Sequence, residues 1–295
     1  MKLAAKAAVG LAMCVGLAAC GSSGLLDDAA DGNGATILGM DRSGQMTIRP
    51  AASTEMDRQQ RIGDELAQRA LAMMTRSSDT DLENYLNTIV NRLQASPEHG
   101  ISSLFYRVYL IDSPHANAFT PGGGHIFVTT GIIRRLRTEA QIAMVLAHEM
   151  AHNRAIHVVK GQDGLSLNRR VTAFGKRVFD EGLGVPWLSS GVKALADTSL
   201  NSYTRAQEEE ADRIGFRYFV AAGYDPFEAP RSFAALIGVD AQKKSIFDVF
   251  DGYPEGLKRA EAMNAMVHAN YAGLNTDGLT RNTQKYVRLA EAYWQ

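Results

Sequence analysis

Residues 138–157 read TEAQIAMVLAHEMAHNRAIH. Thr138 with Gln141 three positions on has the pattern of a capping box, so a helix is expected to start here and run to about His157. His148 and His152 lie four residues apart and project from one face of that helix, about 40° apart. Two imidazoles at this spacing can bind one metal ion without backbone strain, and Glu149 can reach a water beside the ion as general base. With 7 histidines in 295 residues, the H-E-x-x-H pattern is expected by chance on the order of 0.01 times. The plainer reading is a histidine pair on an ordinary helix. It leaves unexplained why Ile142, Val145, Leu146 and Ile156 surround three ionisable groups, whose unpaired burial would cost several kcal/mol. One zinc ion per chain is the expectation.

A catalytic zinc takes a third protein ligand and leaves one position open. His157 follows His152 by five residues, about 140° further round the helix. The extended metzincin spacing needs a glycine turn and a histidine six residues on, and neither is present. His157 therefore reads as a helix-end residue. The better candidate lies in Arg205-Ala206-Gln207-Glu208-Glu209-Glu210-Ala211-Asp212. Glu208 and Asp212 share a helix face, so Glu208 can ligate while Asp212 holds a ligand histidine in its tautomer. Glu209 and Glu210 read as a solvated acidic face.

Around these motifs the chain alternates helix and strand signals. Ile62, Leu66, Ala70, Met73 and Met74 recur at helical spacing from Thr54 onward. A second helix is expected over Asp79 to Leu93, stopped by Ser96-Pro97. Leu104 to Ile111 and His125 to Thr129 read as short strands, with Pro121-Gly122-Gly123-Gly124 as a hairpin or tight loop before the second. That turn is no phosphate cradle, since it lacks GxGxxG spacing and leads into a strand. Further helices are expected over Ser202 to Ala222, closed by Gly223 and Pro226, over Leu257 to His268 and over Asn282 to Trp294. No repeat with a period of 20 to 50 residues is present. The sum is one α+β domain, mostly helical, over residues 54–295. Within it Gly161 to Leu200 is a long glycine-interrupted excursion. It is either a lid, with Val185 to Leu188 and Trp187 beside the cleft, or a pair of helices packing the far side.

Composition sets the outer bounds. The chain is 45% hydrophobic and 21% charged, with 31 basic and 32 acidic side chains. That suits a packed globular protein and argues against nucleic-acid binding, which needs a basic face. Two cysteines cannot build a disulfide framework. The first of them, Cys14, lies in the apolar run Ala7 to Ala19 behind Lys2 and Lys6. At about 1.5 Å per residue the run is too short to span a bilayer, but it suits a signal-peptide core. It ends Leu17-Ala18-Ala19-Cys20, which resembles the bacterial lipobox. Residues 1–19 would then be removed, Cys20 would carry lipid, and 20–53 would be a flexible tether, ordering at most near Met46-Thr47-Ile48. Gly21 stands where a retained protein would have Asp, which by resemblance to known lipoprotein sorting rules implies the outer membrane.

Taken together, Asn117-Ala118-Phe119, Pro121-Gly122-Gly123, Ile126-Phe127-Val128, the HExxH helix and Tyr203-Thr204-Arg205-x-x-Glu208-x-x-Ala211-Asp212 resemble one gluzincin family. It is the zinc metallopeptidase family of HtpX, the CAAX-processing endopeptidase, BepA and LoiP, and the likeness covers roughly residues 55 to 270. It implies a zincin-like metallopeptidase domain with a small sheet beside the HExxH helix. It also implies zinc on His148, His152 and Glu208, Glu149 as general base, and Asp212 behind a ligand. The lipobox makes the chain most similar to the short, LoiP-like periplasmic lipoproteins. In one respect it departs from the periplasmic members, which carry a His-Pro pair beyond the zinc glutamate and an arginine six residues after that histidine. Here Pro254 and Arg259 are kept, but Tyr253 holds the histidine position. Its phenol could donate to a tetrahedral oxyanion, with Arg259 as a second candidate for that role, or it could merely pack.

The resemblance implies an endopeptidase that removes misfolded or unassembled outer-membrane proteins at the periplasmic face of a Gram-negative outer membrane. Its partners would be those substrates, the membrane through a lipid anchor, and the outer-membrane assembly machinery. The strand near Ile126 to Thr129 is expected to pair with extended substrate. A chaperone or assembly factor with a latent zinc site is the alternative, against which an intact Glu149 argues. A zinc amidase acting on cell-wall peptides is a weaker one.

Overall fold

The computed structural model describes residues 36–40, 46–50, 55–99, 104–155, 157, 203, 205–237 and 253–295. The expected signal segment, Cys20, and the 161–200 excursion with Val185, Trp187 and Leu188 lie outside the described residues.

Three strands form the sheet of the domain: β3 (Arg107–Ile111), β4 (Ala118–Gly122) and β5 (His125–Thr129), in the order β3-β5-β4. β3 runs parallel to β5, and β4 antiparallel to it. Successive side chains of a strand point to opposite faces, and the two faces here are both apolar. Val108, Leu110, Ala118, Ile126 and Val128 join the main core. Tyr109, Ile111, Phe119 and Phe127 join a second cluster with Ile62, Leu66, Ala67 and Ala70. The latter four belong to α1 (Glu55–Met73), so this helix covers one face of the sheet. α2 (Thr80–Gln94), α4 (Glu139–Arg154) and α5 (Arg205–Ala221) contribute to the core on the other.

Two expectations are corrected here. β5 is the central strand, hydrogen-bonded on both sides, so Ile126 to Thr129 has no free edge to offer a substrate. The hairpin expected at Pro121 to Gly124 is present, with Gly122, Gly123 and Gly124 all at positive φ, but its first arm, Ala118 to Gly122, is a strand where the sequence reads only as a motif. Upstream, the expected tether contains an antiparallel hairpin, β1 (Thr36–Met40) with β2 (Met46–Pro50), paired from Thr36 opposite Pro50 to Met40 opposite Met46. Each of its strands is five residues long, too short to show a sustained apolar period.

The outer edge of β3 is closed. Asn87 of α2 donates to Val108 O at 3.1 Å and accepts from Val108 N at 2.9 Å. Glu83 accepts from Leu110 N at 2.9 Å, and Ser77 N donates to Leu110 O at 2.8 Å. α1 is fixed to the β4–β5 turn at similarly close range. A Cβ on Gly63 would lie 2.3 Å from the carbonyl carbon of Gly122, and Gln60 donates to Gly123 O at 2.9 Å.

After the short α3 (Thr130–Ile133), α4 starts at Thr138, whose hydroxyl accepts from Gln141 N at 3.2 Å. The Gln141 side chain reaches back to accept from Arg137 N at 2.7 Å, a capping box displaced by one residue. Every residue from Glu139 to Asn153 is buried, and the helix ends at Arg154, short of the expected His157. A helix buried all round lies at the centre of its domain. At its start Glu139 accepts from Tyr85 at 2.8 Å and from Tyr224 at 3.0 Å. α6 (Glu228–Ile237), α7 (Tyr253–Tyr271) and α8 (Gln284–Ala290) complete the helical layer.

α5 meets α4 at Gly215, where an added Cβ would lie 2.9 Å from Ala147 C, Ala147 O and His148 N. All three are backbone atoms of a buried helix and cannot swing aside. Gly215→Ala should therefore destabilise the domain by about 1–3 kcal/mol through overpacking, despite a helix-propensity gain of about 1 kcal/mol. Urea denaturation of the purified chain checks this, and an unchanged or raised midpoint would show that the helices can part without cost.

Candidate metal centre

α4 presents His148 and His152 to α5, and α5 presents Glu208. The donor atoms of these three residues lie within 4.8 Å of one another, and all three side chains are buried. His148 Nε2 and His152 Nε2 are 3.0 Å apart. Glu208 approaches them with Oε2 at 3.3 Å from His148 Nε2 and Oε1 at 3.6 Å from His152 Nε2. Glu149 follows His148 on α4 and is 5% exposed.

The outward-facing nitrogens are held from behind. His148 Nδ1 lies 2.9 Å from Asp212 Oδ1, although it makes no regular hydrogen bond; the approach is an ion-pair contact off the ideal hydrogen-bond line. His152 Nδ1 lies 2.9 Å from His157 Nδ1. The His152 ring stacks on Tyr203, with centroids 3.9 Å apart and planes at 16°. Asn153 fixes the end of α4 against the sheet. Its side chain accepts from Gly124 N at 2.9 Å and donates to Thr120 Oγ1 at 2.6 Å, while its carbonyl accepts from Gln59 at 2.7 Å.

Arg259 of α7 closes the other side. Its Nε and Nη2 donate to the two Asp212 carboxylate oxygens at 2.9 and 2.8 Å, and its Nη1 lies 3.0 Å from Glu208 Oε2. This fork-to-fork geometry is the strong form of a charge-assisted pair. Burial by itself would raise both carboxyls, yet Arg259 and the histidines hold Glu208 well below the usual carboxylate range and lower Asp212 as well. Burial likewise disfavours charge on His148, but Asp212 and Glu208 outweigh it and push the imidazole up to about 10. His152 is pushed down to about 3 by burial and by His148 and His157, with Glu208 opposing. Two ionised carboxylates thus hold positive charge where His148 stands. Two imidazole nitrogens and a carboxylate oxygen around one point suit a divalent ion such as zinc.

The family model described as "Peptidase family M48" matches residues 80–267. The chain belongs to peptidase family M48. This is a family of metal-dependent peptidases. Among similar proteins is the beta-barrel assembly-enhancing protease of Yersinia pestis, 29% identical over 185 residues, which are 61% of this chain and 37% of that protein. Its Escherichia coli K12 counterpart is 25% identical over 198 residues, 65% of this chain and 40% of that protein. The mitochondrial metalloendopeptidase OMA1 of Arabidopsis thaliana is 29% identical over 175 residues, 59% of this chain and 34% of the relative. The chain therefore matches well under half the length of these M48 relatives.

The structure brings His148, Glu149, His152, Glu208, Asp212 and Arg259 into one neighbourhood. Tyr253 is the first residue of α7; its side chain is outside the described residues. Three contributors to the site were not visible from spacing. Asn153 is one, recognisable afterwards as a polar residue on an otherwise buried helix. His157 is another, 1% exposed beside His152. The third is Glu210, expected in solvent but placed 3.1 Å from His157 Nε2. Glu209 does face solvent, paired with Arg205 at 2.9 Å.

Arg259→Leu would leave Glu208 and Asp212 buried without their shared cation. A stability loss of about 3–5 kcal/mol is expected for the metal-free protein, read from urea denaturation in the presence of chelator. A loss under 1 kcal/mol would mean that water already balances these carboxylates.

Proposed function

We propose that this M48 chain is a zinc-dependent endopeptidase that cleaves misfolded or unassembled envelope proteins, outer-membrane proteins above all. The observation that carries this is the convergence of His148, His152 and Glu208 on one buried point, with Glu149 adjacent on the same helix. We assign the three as zinc ligands, one ion per chain, and residues 54–295 as the peptidase domain. The chemistry such an ion supplies when bound is Lewis acidity, polarising a scissile carbonyl and acidifying water. Glu149 takes the proton from the attacking water and delivers it to the leaving amine. Asp212 orients His148, and Arg259 holds Asp212 and Glu208 in place. The Arg259 nitrogens are turned to those carboxylates, so of the two candidate oxyanion donors Tyr253 is kept, with simple packing as its alternative role.

An extended substrate would add to β4. With β5 internal and the β3 edge closed by Asn87 and Glu83, β4 is the remaining edge among the described residues. Asn117 O accepts from Thr129 N on β5, and Thr120 lies where the β4–β5 ladder becomes irregular, between Phe119 and Gly122. Tyr203, stacked on His152, donates to Thr120 O at 3.4 Å. The outer edge of β4 thus leads directly to the metal centre. Backbone pairing of this kind selects unstructured segments over particular sequences.

The relatives named as beta-barrel assembly-enhancing proteases support this substrate class. On the same reading, with the lipobox ending at Cys20, the chain is a lipoprotein on the periplasmic side of a Gram-negative outer membrane, in company with the assembly machinery. No described helix is long and apolar enough to cross a membrane. A chaperone role without hydrolysis is the second reading, favoured only if digestion fails.

Glu149→Gln should retain zinc at wild-type stoichiometry and lose cleavage of an unfolded protein by about 10²–10⁴-fold. Glu208→Ala should lose zinc. Full activity in the first variant removes the base assignment, full zinc in the second moves the third ligand elsewhere, and no digestion even by wild type supports the chaperone reading.

Cys20→Ser expressed in a Gram-negative host should shift the protein from the membrane to the soluble fraction, since lipid would be its anchor. Fractionation followed by immunoblotting reads this, and continued sedimentation with membranes would rule out the lipid as sole attachment.

A further inference from the structure

His157 and Glu210 take no part in the ligand set or the proton transfers above, yet they form a continuous hydrogen-bonded chain with His152. Glu210 Oε2 lies 3.1 Å from His157 Nε2, and His157 Nδ1 lies 2.9 Å from His152 Nδ1. With His157 neutral, the polarity of this chain is set at its outer end. An ionised carboxylate only accepts, so His157 Nε2 carries the hydrogen. A neutral imidazole then has a lone pair on Nδ1, and the contact to His152 is His152 Nδ1–H donating to His157 Nδ1. His152 Nε2 is left with its lone pair, aimed at His148 Nε2 and Glu208 Oε1. With the opposite polarity an N–H would point into the site and could not ligate.

We propose that His157 and Glu210 are positioning residues that set the tautomer and ring orientation of His152 for the metal. This inference rests on the zinc reading above. It gives the two ligand histidines unequal backing. His148 is backed directly by Asp212, a buried carboxylate clamped by Arg259. His152 is backed by a second imidazole, itself 1% exposed in its side chain, and the carboxylate behind it is 42% exposed. The arrangement also ties α5 to a residue beyond the end of α4, since Glu210 and Glu208 sit on the same helix and His157 lies past Arg154. Tyr203, flat against His152, holds the ring plane while His157 holds its nitrogen.

The test compares wild type, His157→Leu, His157→Asn and Glu210→Ala in the purified chain. Zinc affinity is measured by competition with a chromogenic chelator, and thermal midpoints are measured in excess chelator. Leucine removes the acceptor, whereas the asparagine amide oxygen falls near the position of Nδ1 and keeps one. His157→Leu should weaken zinc binding by about 10–100-fold, the usual effect of removing a partner behind a ligand. His157→Asn should recover most of that loss, with a metal-free midpoint no higher than that of the leucine variant. Glu210→Ala should have a smaller effect, because water can replace a half-exposed carboxylate. Wild-type affinity in His157→Leu would overturn the proposal, as would equal weakening in the leucine and asparagine variants. Should the leucine variant fail to fold, wild-type affinity in both His157→Asn and Glu210→Ala supports retained polarity only if a His157→Ala chain loses zinc, and refutes it otherwise. A wild-type chain that binds no zinc would instead overturn the metal reading, and the relay with it.

Discussion

Two carboxylates and two imidazoles are packed together out of water, and the molecule is organised around keeping that group balanced. Glu208 and Asp212 remain ionised in spite of burial because Arg259 spans both of them and the histidines face them. An uncompensated buried charge would cost several kcal/mol, a large part of the stability of an ordinary domain. The three helices that carry these residues are therefore not free to drift. α4 brings the imidazoles, α5 the carboxylates and α7 the guanidinium, and each needs the other two in place. Gly215 permits the spacing by letting the α5 backbone lie directly against Ala147 and His148.

The sheet and α1 serve that arrangement from outside it. Asn153, next to His152 in sequence, bonds to Gly124, Thr120 and, through its carbonyl, Gln59. One residue thus joins α4 to β4, to the β4–β5 turn and to α1. Asp64 of α1 meets His125 at the start of β5 at 2.8 Å, and Tyr109 meets the other ring nitrogen at 3.2 Å. These contacts pin the β4–β5 turn, and with it the strand edge that runs toward Tyr203 and His152.

Much of this was legible in the sequence where the signal is local. The i, i+4 spacing of His148 and His152, the capping pair Thr138 and Gln141, and the shared face of Glu208 and Asp212 all depend on helical periodicity. The structure keeps these relations. What the sequence hid depends on pairing across long separations. Ala118 to Gly122 contains Pro121 and a glycine, which suggest a turn, and it becomes a strand because β5 folds back on it. The central place of β5 follows from sheet order, which no period reveals. His157 looked inert because its angle on an extended helix is wrong for ligation. The helix stops first, and the residue comes back beneath His152. Glu210 looked solvated because its neighbours are acidic, and only the position of His157 gives it a partner.

Because the donor set is divided between α4 and α5, an ion bound there would act on the chain as a staple. It would join His152 to Glu208 across a long intervening stretch. An ion that binds the native form and not the unfolded chain stabilises the native form by mass action, about 2.7 kcal/mol at a hundred times its dissociation constant. Folding and metal supply would then be linked quantities. A newly made copy that meets no metal would remain the looser, more degradable form, so the abundance of the metal-loaded chain would track the availability of the ion around it.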